Sequence, residues 1–179
     1  MCTLINSGQS LYVQNTNDAM STVASTPLQL TRTGDAKVGQ DLYEKGRTLA
    51  LGHYQTIPYS AGNFSSNVGT WTVDAGDVPL LAYSVIGKTM WITFQVVTTS
   101  VTGSPTTLRI ALPSGFTAAN TGPSPIFHQN GGSTWQIGMA QPAGGGTQVN
   151  LYVDAGGTVA WATATNSLPI YGTCLVFVS

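Results

Sequence analysis

The sequence predicts an all-β protein: an antiparallel β-sandwich, jelly-roll-like, with an N-terminal arm or extension. Three observations carry this. The chain of 179 residues is rich in Thr (25), Gly (21) and Ser (15), and Glu44 is its one glutamate. Long helices draw on Glu, Lys, Arg and Ala, whereas Thr and the other β-branched residues suit strands. From residue 48 onward, apolar residues recur with period 2, the spacing that places them on one face of a strand. Turn residues interrupt this pattern about every 8–15 residues, with no helical crossover between the runs.

The first 47 residues differ from the rest. Leu11-Tyr12-Val13 and Leu28-Gln29-Leu30 are short apolar pieces between polar runs, and no heptad is sustained. Residues 1–47 read as an arm or extension, or alternatively as extra strands of the same domain. Residues 48–179 read as the β-sandwich domain. There Leu49, Leu51, His53, Gln55 and Ile57 share one strand parity, and Trp71 shares one with Val73. Leu81, Tyr83 and Val85 follow, and then Met90, Ile92, Phe94 and Val96 within a run from Lys88 to Thr98. Leu108, Ile110 and Leu112 come next, followed by Trp135, Ile137 and Met139 and by Val149, Leu151 and Val153. Val159 and Trp161 are in phase, and Cys174, Val176 and Val178 close the chain. The separators include Asp74-Ala-Gly-Asp77, Thr102-Gly-Ser-Pro105, Asn130-Gly-Gly132, Ala143-Gly-Gly-Gly146 and Asp154-Ala-Gly-Gly157.

Charge narrows the functions. Charged residues form 7% of the chain, against about 25% in an ordinary domain. Six basic and seven acidic side chains give no footprint for nucleic acid or an anionic membrane. No stretch reaches the ~18 apolar residues of a membrane span, and the N-terminus lacks the pattern of a secretory signal. Seven of the charges fall within residues 32–47, and residues 110–179 hold only Asp154. A segment so poor in charge needs a hydroxyl- and amide-rich surface or a covering subunit.

Catalytic motifs are missing: there is no Gly-x-Ser-x-Gly, His-Glu-x-x-His, Cys-x-x-Cys or Gly-x-x-x-x-Gly-Lys. The expectation is a non-enzyme without cofactor or metal. Asp74 and Asp77 are a carboxylate pair across a Gly turn, and Asp154 lies at a similar one; all three read as turn residues. His53 and His128 alone are too few for a metal site, and His53 reads as a core or rim residue. Cys2 and Cys174 read as reduced thiols, Cys174 within a strand. Asn63-Phe-Ser65 is a sequon that reads as chance without a secretory signal. Trp71, Trp135 and Trp161 read as core. Trp91 shares its face with Thr89, Thr93 and Gln95, so it is an isolated surface residue, a subunit contact or a sugar-stacking ring. Arg109, opposite Leu108 and Ile110, is a solvated residue or an interface anchor.

Residues 42–116 carry a more specific signature. It comprises Leu-Tyr-Glu-Lys-Gly-Arg47, Ile57-Pro-Tyr-Ser-Ala-Gly-Asn-Phe64 and Thr70-Trp-Thr-Val-Asp-Ala-Gly-Asp77. Tyr83-Ser-Val-Ile-Gly-Lys-Thr-Met90 and Leu108-Arg-Ile-Ala-Leu-Pro-Ser-Gly-Phe116 complete it. This resembles the β-sandwich modules of tailed-bacteriophage virion proteins, found in capsid decoration proteins and tail fibres. The resemblance implies a non-enzymatic structural protein, assembled into a virion in the host cytoplasm. It points first to a homotrimeric capsid decoration, or cement, protein that contacts the major capsid protein or another virion protein. The alternative is the receptor- or carbohydrate-binding head of a tail fibre or spike, with Trp91 or a loop Tyr such as Tyr171 stacking on a host surface glycan. A third reading is a polysaccharide hydrolase using Asp74 or Asp77. Trp91, Arg109 and Arg47 are the candidate interface or binding residues.

Overall fold

The structure is a computed structural model. It describes the backbone of residues 2–7, 10–16, 23–31 and 36–37 and, in full, residues 54–119 and 122–179. The chain divides into two compact units, Met1–Leu51 and Gly52–Ser179. In the first unit, β1 (Cys2–Ser7), β2 (Ser10–Thr16), β3 (Val23–Thr31) and β4 (Ala36–Lys37) form an antiparallel sheet in sequential order. Leu49, Leu51, His53 and Arg47 lie outside the described residues.

The second unit is all-β and antiparallel throughout, as the alternation predicts. Its strands are β5 (Gln55–Thr56), β6 (Phe64–Ser66), β7 (Thr70–Thr72), β8 (Leu80–Ile86), β9 (Thr89–Thr102), β10 (Leu108–Ala111), β11 (Ser124–Gln129), β12 (Trp135–Pro142), β13 (Gln148–Tyr152) and β14 (Ala164–Phe177). They form one curled sheet in the order β5-β8-β9-β14-β11-β12-β13-β10-β6, with β7 paired to β9. Because β6 pairs with β10 and β7 with β9, the short β6–β7 connection carries the chain from the β10 end of the sheet back to β9. Gly69 makes that junction possible. Its φ is +65°, and a Cβ there would lie 2.0 Å from the Thr102 carbonyl oxygen.

The curl originates in β9 and β14. The first half of β9 pairs with β8 and its last three residues pair with β7. Between these halves Thr98 takes φ +49°, a conformation that costs a β-branched residue about 1–2 kcal/mol. The opposing strand shifts register twice, between Ala164 and Leu168 and between Leu168 and Ile170, with Asn166 at φ +48° and Pro169 at the second shift. Such bulges bend strands and increase their twist. The bulge in β9 also changes parity: Met90, Ile92, Phe94 and Val96 are buried before it, and Thr99 and Val101 after it.

Thr99 is fully buried, and its hydroxyl joins three strands. It accepts a hydrogen bond from Trp71 Nε1 at 3.0 Å and donates to the Leu168 carbonyl at 3.0 Å. On the surface of the same bend, Ser100 Oγ donates to Asn166 Oδ1 and accepts from the Asn166 amide, both at 3.0 Å. The Thr98 hydroxyl donates to the Asp77 carboxylate. Ile110, Ile126, Leu151, Leu168, Ile170 and Trp161 complete the core. Each aliphatic side chain so buried contributes about 1.5–3 kcal/mol.

Two expectations of core packing are corrected. Trp135 is 47% exposed and Ile137 67% exposed, because β12 points Gly138, Ala140 and Pro142 inward instead. The inner space there is already filled by the side chains of His128 and Trp161, which leaves room only for small residues. Val159 is exposed although Trp161 is buried: residues 153–163 form a loop, where strand parity does not apply.

Thr99→Val keeps the shape but strips both hydrogen bonds, leaving a buried indole N–H and a buried carbonyl short of a partner. We expect a loss of about 2–4 kcal/mol, read as a lower urea midpoint at unchanged m-value. Thr99→Ser retains the hydroxyl and is expected to recover most of that loss.

Candidate functional site

Alternation along β9 places Thr89, Trp91, Thr93 and Gln95 on the outer face of the sheet, opposite the buried Met90, Ile92 and Phe94. The pairing register then lines up outer residues across strands. One row runs Leu80–Gln95–Tyr171–Phe127–Ile137 over β8, β9, β14, β11 and β12. In the next row toward the β8–β9 hairpin, the hydroxyls of Thr93 and Thr173 lie 3.0 Å apart, and Ala82, paired with Thr93, is fully buried. Ser84, Trp91 and Leu175 form a third row, and Ile86, Thr89 and Phe177 a fourth.

The face carries two apolar clusters. The first is Phe127 (52% exposed), Trp135 and Ile137 with Tyr171. The rings of Trp135 and Tyr171 lie 5.1 Å apart at an interplanar angle of 36°. The second is Ile86, Trp91 and Phe177, each roughly two-fifths exposed or more. Isolated exposed apolar residues are ordinary, but clusters of this kind mark interaction surfaces.

A groove opens beside the first cluster. Leu80 lies on one side, Phe127 and Tyr171 on the other, and its lining includes Thr93, Gln95, Thr173 and Pro125; its volume is about 570 Å³. Ligand pockets span roughly 300–1,000 Å³. The groove has a local cause. β11 pairs with β14 only over Ile126–His128. Pro125 has no N–H to extend the ladder, and beyond it the Leu175 amide turns to the Ser124 hydroxyl at 3.1 Å. A smaller hollow of about 280 Å³ lies on the other side of Pro125, against Ile137 and Met139. No lining residue of either is charged.

His128 lies beneath this face and is fully buried. Its Nε2 is 2.9 Å from the Val153 carbonyl, which can only accept, so the ring proton sits on Nε2. Nδ1 is buried without a hydrogen-bond partner among the described residues. The ring meets Trp161 edge-on at 4.8 Å. Gly138 provides the room: a Cβ there would stand 2.3 Å from the Tyr152 carbonyl oxygen and 2.9 Å from His128 Cδ2. Burial lowers the His128 pKa below its ordinary 6.5, against a smaller upward pull from the Val153 hydrogen bond. The imidazole is a neutral packing residue, not a ligand reaching the surface.

The other sequence candidates are dispersed. Trp91 is exposed on the outer face, in the second cluster. Arg109 is half-buried on β10, where Nη1 donates to the Ser66 carbonyl of β6 at 3.4 Å. Arg47 lies outside the described residues. Tyr171 sits in the middle of β14, a strand position and not a loop. Asp77 accepts from the Asp74 amide at 2.9 Å, and Asp154 accepts from the Gly156 and Val159 amides, each at 3.3 Å. These carboxylates hold their own turns. Among the described residues, no group of three or more His, Cys, Asp or Glu side chains could hold a metal ion, and no helix is long and apolar enough to cross a membrane. Phe127, Trp135 and Ile137 were not singled out as a binding cluster by the sequence. The signal was present: alternation in β11 and β12 offers apolar residues on both faces. The chain matches no family model, no curated protein and no solved structure.

Two outcomes follow from the buried titratable groups. A His whose folded pKa is depressed supports folding fully above its unfolded value. That support is lost as pH falls from about 6.5 toward the lower folded value, because the unfolded chain takes up the proton first. Replacing His128 by Gln removes this titration. The Tm advantage of wild type over His128→Gln should therefore shrink between about pH 7.5 and pH 5. Cys174 is buried, and burial pushes its thiol up to about 11 against an opposing Ser124 hydrogen bond. In a Cys2→Ser background, we expect Cys174 to resist thiol reagents in native buffer and to react at once in denaturant.

Proposed function

We propose that the chain is a non-enzymatic structural protein of a tailed-phage virion. In this reading it is a capsid decoration protein, assembled in the host cytoplasm as a homotrimer and seated on the major capsid protein or another virion protein. The observation that carries this reading is the outer sheet face. It is built of paired strands, nearly free of charge, and bears large apolar side chains in two clusters. A surface of that kind calls for a partner, and closed symmetry covers apolar area without leaving an open growing end. The strand-and-turn signature of residues 42–116 supplies the virion context.

Ile86, Trp91 and Phe177 are the subunit contact in this reading. They lie together at the β8–β9 hairpin end of the face, where a symmetric partner can reach them. Arg109, already tied to the Ser66 carbonyl, supports the β6–β10 pairing.

The groove beside Phe127 and Tyr171 favours a second reading, the receptor- or carbohydrate-binding head of a tail fibre or spike. An aromatic-lined concavity of about 570 Å³ is the size of a small-ligand site.

Light scattering across a sizing column tests the trimer. We expect a mass three times that of the 18.6 kDa chain for wild type. Trp91→Glu, which puts a charge into the contact, is expected to run as a folded monomer. A wild-type monomer overturns the symmetric decoration reading.

A further inference from the structure

We propose that the groove between Leu80 and the Phe127–Tyr171 pair binds a neutral glycan. Sugar rings would stack on Phe127 and Tyr171, the latter backed by Trp135, and their hydroxyls would bond to Gln95, Thr93 and Thr173. The inference rests on the second functional reading above and names its site and ligand class.

Charge is the first argument. The fully described charged residues are Asp74, Asp77, Lys88, Arg109 and Asp154, and none lines the groove. An ionic ligand would lose its hydration there and find no counter-charge. The ligand is therefore neutral.

The second argument is the pairing of surface types. Phe127 and Tyr171 stand side by side in one cross-strand row, and Trp135 lies against Tyr171 at 5.1 Å. Beside these rings come an amide, Gln95, directly opposite Tyr171, and the Thr93–Thr173 hydroxyl pair. A purely apolar ligand has no use for that polar row. A pyranose uses both, because its C–H face packs on aromatic rings while its hydroxyls donate and accept at its edges.

Preorganisation is the third. Tyr171 is held in β14 between β9 and β11, and Gln95 in β9 between β8 and β14. Side chains fixed on paired strands lose little freedom when a ligand arrives. The groove persists without a ligand because Pro125 cannot close the β11–β14 ladder.

The test uses the full-length protein and a panel of neutral oligosaccharides (maltohexaose, cellohexaose, laminarihexaose and chitotriose). An acidic counterpart, an oligogalacturonide, is included. Binding is read by amide chemical-shift perturbation at millimolar sugar. We expect a neutral member to bind and to shift resonances of β9, β11 and β14. Phe127→Ala should weaken it at least about tenfold, the equivalent of ~1.4 kcal/mol for one aromatic contact. Gln95→Ala should weaken it by a smaller factor, and Val159→Ala, exposed on a loop outside the groove lining, should leave it unchanged. Unaltered thermal unfolding of each variant shows that the loss is local. Sugar binding that survives Phe127→Ala and Gln95→Ala overturns the groove and leaves the carbohydrate-binding reading standing. Binding of the acidic sugar alone overturns the neutral class. Binding of no member by wild type overturns the groove proposal and the carbohydrate-binding reading together, leaving decoration in place.

Discussion

The hydroxyl of Thr99 is a small group on which much of the architecture depends. The strand β9 must serve two neighbours in succession, β8 along its first half and β7 at its end, while β14 follows it on the other side. A straight ladder cannot do this. The bend at Thr98 and the register shifts around Leu168 can, but they leave polar backbone and an indole N–H inside the core. Thr99 accepts from Trp71 and donates to Leu168, so the bend is closed without an orphaned group. The sheet then curls far enough for the short β6–β7 connection to link β10 back to β9.

The curl also determines what each face carries. Inside, bulky side chains from β9, β14 and β11 fill the space, so β12 contributes Gly138, Ala140 and Pro142 there. Gly138 admits the His128 ring, which packs neutral against Trp161. Outside, the same strands present Phe127, Trp135 and Ile137 to solvent. The exposed aromatic cluster is thus the complement of a crowded interior. Exposed aromatic clusters of this kind suit binding, since an uncovered apolar patch invites aggregation.

The two clusters on the outer face are chemically different. Ile86, Trp91 and Phe177 form an apolar patch beside a hairpin, suited to another protein surface. Phe127 and Tyr171, the latter against Trp135, border a concavity that also offers an amide and hydroxyls. Four residue steps along β9, about 13 Å of strand, separate Trp91 from Gln95. A symmetric contact at the first and a ligand at the second are compatible on that spacing.

Fold class and strand positions follow from local signals. Alternation in Lys88–Thr98 assigns Met90, Ile92, Phe94 and Val96 to the core and Trp91 to the outside, because a side chain's face is set by the pleat of its own strand. Turn residues act locally too: Asp77 and Asp154 satisfy amides within a few positions of themselves. Three features were not legible in this way. Strand order depends on which distant segments pair, and sequence spacing does not encode that. The facing of β12 depended on how much room His128 and Trp161 left, so the larger residues, Trp135 and Ile137, were read inward and lie outward. The groove exists because Pro125 ends the ladder between β11 and β14, two segments far apart in the chain. Its lining, drawn from β8, β9, β11 and β14, comes together only when the sheet has curled.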